Sequence, residues 1–299
     1  MWKRISSALL FATSAALAER VELTRPVMGT LARITVETND PPRAGLAIEQ
    51  AFARLADLNA KLSDYDPLSE LNRNPPRKSR DLQHVLHHAA ELRRLTGGAF
   101  NHEAGTVIRL WRDARQRGVA PTPAQIEAAR TAERKVDLGG IAKGYAAGEA
   151  LALLRRHGFR RAMVAIAGDI CVGDPPAGRP GWRIEVAPGS ARRLLELHQS
   201  CVSTSGDAEQ AFEANGRRYS HIIDPRTGHA LTHPIGVTVV ARQGIIADAL
   251  ATALSVTGLR EDLLRRYHAA AIVWTPESTR ESLFELFERA RPIRAEQPR

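Results

Sequence analysis

Residues 200–241 read SCVSTSGDAEQAFEANGRRYSHIIDPRTGHALTHPIGVTVVA. Three short apolar runs in this stretch, at 200–204, 218–223 and 235–241, are bounded by Gly, Pro, Asp or Asn, the punctuation expected of strands. Runs at 161–167 and 182–187 repeat the pattern upstream. Downstream, the spacing predicts helices over 245–256 and 259–267, a strand over 270–274 and a terminal helix near 278–289. Toward the N-terminus, residues 21–37 alternate as a strand pair broken at Pro26 and Gly29. Phe52, Leu55, Leu58 and Leu62 mark an amphipathic helix over 44–62, and residues 63–76 form a polar loop. Ser79 caps a second helix, which Gly97-Gly98 ends, and Thr122-Pro123 starts a short third one. Helices and strands cluster instead of alternating, which predicts an α+β fold.

The chain has 299 residues, 43% hydrophobic and 25% charged, ordinary for a soluble globular protein with a sizeable core. Lys3 and Arg4, the uncharged stretch 5–15 and the small-x-small triplet Ala16-Leu17-Ala18 read as a signal peptide over 1–18. Its removal would lower the net charge from +9 to +7. No Cys lies near the cleavage point, which predicts a soluble, exported, periplasmic protein without a lipid anchor or membrane span. The bases are 5 Lys against 37 Arg, scattered without a basic block, so the charge reads as solvated faces. Nucleic-acid binding is disfavoured by this scatter and by an aromatic content of 5%. Cys171 and Cys201 are either bonded or two buried thiols; spacing does not decide.

Five segments carry candidate chemistry. Gly29, after Met28, interrupts a strand, as a bend or a close approach to a ligand requires. Tyr65, in the loop Asp64-Tyr65-Asp66, is placed either to stack on a planar ring or to cover the core. The turn Gly97-Gly98-Ala99-Phe100 is a helix cap that also exposes backbone N–H groups. In Val136-Asp137-Leu138-Gly139-Gly140-Ile141-Ala142-Lys143-Gly144, the Gly pair precedes a helix, aiming N–H groups and the positive dipole end at an anion. Lys143 adds a charge for phosphate, and Asp137 can accept from a ligand N–H or hydroxyl. In the last segment His221 ends an apolar run before Asp224-Pro225, as a catalytic base or a core histidine. Asp248 and Thr252 lie four apart on one helix face, an oxygen pair suited to Mg²⁺; Asp248 is equally placed as a first-turn carboxylate favoured by the helix dipole.

Together these motifs resemble the ApbE family of FAD:protein FMN transferases. The resemblance runs from about Val21 to Leu259 and rests on VDLGGIAKGYAAG, TSGD, YSHIIDPRTG and ADALATAL, in the family's order. It implies one domain over 19–299 with a two-lobed α+β fold: antiparallel or mixed sheets, flanking helices and a ligand cleft between lobes. It also implies Mg²⁺-dependent transfer of FMN from FAD to a Thr or Ser hydroxyl of an acceptor flavoprotein, with release of AMP. The acceptor would belong to a membrane respiratory or exported electron-transfer system. Gly140, Asp248 and Thr252 match the family's metal position. Met28, Tyr65, Gly98, Ala99, Phe100, Asp137, Lys143 and Ile222 match its FAD contacts. His221 matches its candidate base, with Asp248 the second catalytic residue. Where the family has Asn-x-Gly-Gly-Asp, this chain has Ala165-Ile166-Ala167-Gly168-Asp169, which puts contacts of the missing Asn and Gly in doubt. Two other readings use the same residues: an FAD diphosphatase giving FMN and AMP, and a non-catalytic exported FAD-binding protein.

Overall fold

The computed structural model describes residues 18–73, 79–190, 192–206 and 211–282. Glu19–Val27 (β1) and Thr30–Thr38 (β2) form a hairpin around Met28-Gly29. Both turn residues have positive φ (52° and 72°), the sign pattern of a type I′ turn that suits strand twist. Pro41–Leu62 (α1) starts with proline in its first turn, and its N-cap Asp40 accepts from Arg43 N–H at 3.1 Å. Arg80–Leu95 (α2) is capped by Ser79. Gly105–Arg117 (α3) was not predicted. It lacks a side-chain cap and is Arg-rich, yet buries Val107, Trp111 and Ala114 at helical spacing. Pro123–Thr131 (α4) carries a capping box from Thr122 and Gln125, and Ala142–Arg156 (α5) follows the glycine turn.

Ala162–Ile166 (β3) and Asp169–Val172 (β4) pair around Ala167-Gly168. Trp182–Val186 (β5) and Arg193–Leu197 (β6) form a separate hairpin. Ser200–Gly206 (β7) precedes two short pairs, Phe212–Ala214 (β8) with Arg217–Tyr219 (β9), and Ile223–Asp224 (β10) with His229–Ala230 (β11). The predicted single strand over 218–223 is therefore broken at residues 220–222. Gly236–Ala241 (β12), Gly244–Thr257 (α6), Glu261–Arg266 (α7) and Ala270–Thr275 (β13) agree with expectation. Ser278–Ser282 (β14) corrects the predicted terminal helix. Its Ser- and Thr-rich residues are weak helix formers, and they complete a ladder on β13. The rest of that predicted helix, and residues 1–17 of the signal peptide, lie outside the described residues.

The frame is an eight-stranded sheet in the order β1-β2-β3-β4-β7-β12-β13-β14, antiparallel at every pairing. One face carries the main core, where Leu55, Leu58, Leu154, Leu250 and Leu264 pack from α1, α5, α6 and α7. The other face is covered by β5 and β6, through Trp182, Ile184, Leu195 and Leu197 against Val172 and Val202. A satellite core joins α3 and α4 to the short pairs through Trp111, Ile126 and Ile223. All six residues of β12 are buried, and α6 is apolar nearly all round, as a helix enclosed between layers must be. Cys171 and Cys201 sit opposite each other on β4 and β7 and are bonded, which settles the pairing left open by sequence.

Ala167 stands in its two-residue turn at φ 50°, where glycine is favoured. Its side chain is exposed, so the methyl costs backbone strain without contributing packing. Ala167→Gly is expected to stabilise the protein by about 1 kcal/mol, roughly 2–4 °C in Tm, checked by thermal melts.

Candidate functional site

Two glycines fix the centre of the site. A Cβ on Gly144 would lie 2.2 Å from the Gly244 carbonyl oxygen, and one on Gly244 would lie 2.1 Å from the Gly144 oxygen. Only glycine at both positions lets α5 and α6 cross this closely. The crossing brings Asp248, on α6, to the first turn of α5, where Gly144 N–H donates to its Oδ2 at 2.9 Å. A carboxylate there is favoured by the helix dipole. Gly140 is pressed against the same helix, since a Cβ there would meet Thr252 Oγ1 at 2.7 Å. Ser255 and Thr257 bond carbonyls one turn back, at 2.8 and 3.2 Å; Thr252 forms no such bond among the described residues. Its hydroxyl is left for another partner.

Lys143 closes this corner. Its Nζ lies 3.2 Å from Asp169 Oδ2 and donates to the Gly139 carbonyl at 3.2 Å. Asp169 is buried at the start of β4 and accepts from Ser203 Oγ, on β7, at 2.6 Å. Burial, then the nearby Asp169 charge, push the Asp248 carboxyl up to about 7, against the pull of Lys143 and the α5 N–H groups. The Asp169 and Asp248 charges, in that order, hold Lys143 firmly protonated. In the sequence Asp169 stands at the end of the segment that departs from the family's pattern, and its position after the Gly of a hairpin turn is the signal that marks it.

Asp137 links this corner to a second cluster. Its Oδ1 accepts from Gly139 N–H at 2.8 Å, and its Oδ2 lies 2.7 Å from Arg112. Arg112 also pairs with Asp64 at 2.6 Å and lies 4.1 Å over the ring of Tyr65, which is 72% exposed. Tyr65 is thus an exposed aromatic face braced by a guanidinium. Burial first, then Asp64, raise Asp137 to about 6. Arg112 had no local signal, because it lies inside the unpredicted α3.

The remaining candidates sit at turns. Gly97 and Gly98 take φ of 60° and 85°, and Thr96 Oγ1 accepts from Phe100 N–H at 3.0 Å. Gly98 faces Arg226 in the turn after β10. Ala99, Phe100 and Ile222 are buried, so they offer a ligand mainly backbone. His221 is exposed in the break between β9 and β10, which removes the core-histidine reading. Met28 stands apart at the β1–β2 tip, sharing only the core that Phe100 and Ile222 also join. Asp207 of TSGD lies outside the described residues.

No group of three or more His, Cys, Asp or Glu suited to a metal occurs among the described residues. A hard cation that keeps waters and substrate phosphates does not need one. The Asp248 carboxylate, the Thr252 hydroxyl and the Gly140 carbonyl form an all-oxygen set of suitable chemistry.

Residues 28–273 match the model of the ApbE family. The chain belongs to that family. It is 31% identical to a FAD:protein FMN transferase of Vibrio cholerae, over 85% of this chain and 86% of the relative. It is also 31% identical to one of Treponema pallidum, over 81% and 80%. Among solved structures it resembles the ApbE protein of Thermotoga maritima, with a TM-score of 0.78, 25% identity and coverage of 90% and 98%. It resembles the flavin transferase ApbE of Vibrio cholerae with a TM-score of 0.75, 28% identity and coverage of 91% and 99%. The antiparallel sheet with flanking helices is thus an ApbE fold, and the chain is a transferase.

Proposed function

We propose that this ApbE-family chain transfers the FMN moiety of FAD to a Thr or Ser hydroxyl of an acceptor flavoprotein, with Mg²⁺, and releases AMP. The supporting observation is that Thr252 lies against Gly140 while the buried Asp248 carboxylate meets the α5 N-terminus, beside Lys143. Asp248, Thr252 and the Gly140 carbonyl would hold Mg²⁺, whose charge would neutralise the FAD diphosphate and the leaving phosphate. Lys143 would position the same phosphates, whereas the first α5 N–H groups are already taken, Ala142 by the Leu138 carbonyl and Gly144 by Asp248. Tyr65 offers a face for a planar ring, while Gly98, Ala99, Phe100, Ile222, Asp137 and Met28 shape the flavin side.

His221 takes the proton of the acceptor hydroxyl. The acceptor oxygen then bonds to the FMN phosphorus, the diphosphate P–O bond breaks, and its electron pair leaves with AMP. The Cys171–Cys201 disulfide fits an oxidising compartment and supports an exported, periplasmic location with signal peptide 1–18 and mature domain 19–299. The acceptor would be an electron-carrying flavoprotein of that compartment.

The test is intact mass after incubation with FAD, Mg²⁺ and an acceptor domain. A gain of one FMN on the acceptor is expected, and His221→Ala should slow it about 100-fold. FMN and AMP released with the acceptor unmodified would replace this reading by an FAD diphosphatase. FAD bound but unchanged would replace it by a flavin-binding protein.

A further inference from the structure

We infer that the Cys171–Cys201 disulfide is a positioning element of the phosphate-binding corner, setting where Asp248 and Lys143 stand. The inference rests on the proposed use of that corner.

Two chains of contact lead from the sulfurs to it. On β4 and β7, Cys171 faces Cys201 and Asp169 faces Ser203, two residues along each strand. Side chains two apart share a sheet face, so the disulfide and the Asp169–Ser203 hydrogen bond lie side by side. The cross-link fixes the register that makes this bond, and Asp169 in turn holds Lys143. The second chain runs upward into the helices. A Cβ on Gly244 would meet Cys171 Sγ at 2.9 Å, so the α6 backbone rests on the sulfur. Gly244 touches Gly144, whose N–H holds the Asp248 carboxylate. The two routes therefore end on opposite sides of the same corner.

There is no slack between. Cys171 is 1% exposed and Cys201 5%. Removing both sulfurs leaves a void under Gly244 at the point where two helix backbones touch, and α6 settles or β4 slides to fill it. Either movement carries Asp248 or Asp169 with it.

The experiment is calorimetric titration of Mg²⁺-ADP, a soluble diphosphate, into three proteins well below their melting temperatures. These are the oxidised wild type, Cys171→Ala/Cys201→Ala, and Leu195→Ala. The last removes buried packing from the opposite face of the sheet, and it controls for lost stability. The double variant should bind about tenfold more weakly, as loss of a group supporting metal ligands does, while Leu195→Ala binds as the wild type does. Equal affinity in the double variant and the wild type would overturn the inference and leave the proposed function standing. Equal weakening in Leu195→Ala would overturn it as a general stability effect. No binding by oxidised wild type would overturn the proposed use of the corner and this inference with it.

Discussion

Asp248→Asn is expected to slow FMN transfer about a thousandfold while making the metal-free protein more stable near neutral pH. The rate loss follows from removing the only carboxylate in the all-oxygen set, at a site where charge neutralisation is most of the catalysis. The asparagine oxygen can still accept from Gly144 N–H, so the helix crossing is kept. The stability gain follows from the direction of the carboxyl's shift. An unfolded Asp titrates near roughly 4, and in the fold burial and Asp169 raise Asp248 to about 7. Between these values the folded state binds the extra proton, so its stability falls as pH rises from about 4 to 7. Asp137, raised to about 6, contributes in the same direction but is present in both proteins. The difference between wild type and variant therefore isolates Asp248. Melting both in a chelator at pH 5 and pH 7.5 should show a larger fall in wild type. Parallel falls would show that the Asp248 charge is not costly to the fold, and an unchanged transfer rate would exclude it from the reaction.

The second large effect is predicted at Gly144. A methyl at Gly144 would stand 2.2 Å from the Gly244 oxygen and 2.6 Å from Asp248 Cβ, with helix backbone on both sides. Neither neighbour is the free end of a flexible side chain, so α5 and α6 must separate. Gly144→Ala should cost about 3 kcal/mol, roughly 6–12 °C in Tm. Gly148→Ala is the control: it lies on the same helix with open space around it, and a small stabilisation is expected from better helix propensity. Thermal melts that place Gly144→Ala beside Gly148→Ala would refute the close crossing.

Legibility in the sequence followed locality. The helices with a cap and a regular apolar stripe, α1 and α2, were plain, as were β12 and β13. Helix α3 was missed because it has no capping side chain and its stripe is interleaved with Arg. The short strands β4, β6, β8 and β11 were missed because partners far along the chain define them, not their own composition. The same division runs through the site. Asp248 with Thr252, and Gly140 with Lys143, were readable because each pair lies within one motif. Their meeting was implied only by the family resemblance, because it depends on Gly144 and Gly244, one hundred residues apart in numbering. Asp64 and Ser203 lie in or beside marked segments, but their pairing with Arg112 and Asp169 comes only through tertiary contacts, and nothing in the neighbourhood of Arg112 marked it.

The strand order of the large sheet rises monotonically along the chain, from β1 at one edge to β14 at the other. A polypeptide that emerges N-terminus first can therefore lay each strand on an edge already formed, without inserting one between two others. Everything between consecutive strands of the sheet becomes an excursion that leaves and returns to the growing edge. Tyr65, Asp137 and Lys143 ride on the excursion between β2 and β3, and His221 on the one between β7 and β12. The growing edge is temporarily unpaired, and aggregation-prone, until the next excursion is complete. Lengthening or shortening those excursions alters the timing of assembly and the shape of the site, but not the order in which the sheet is built.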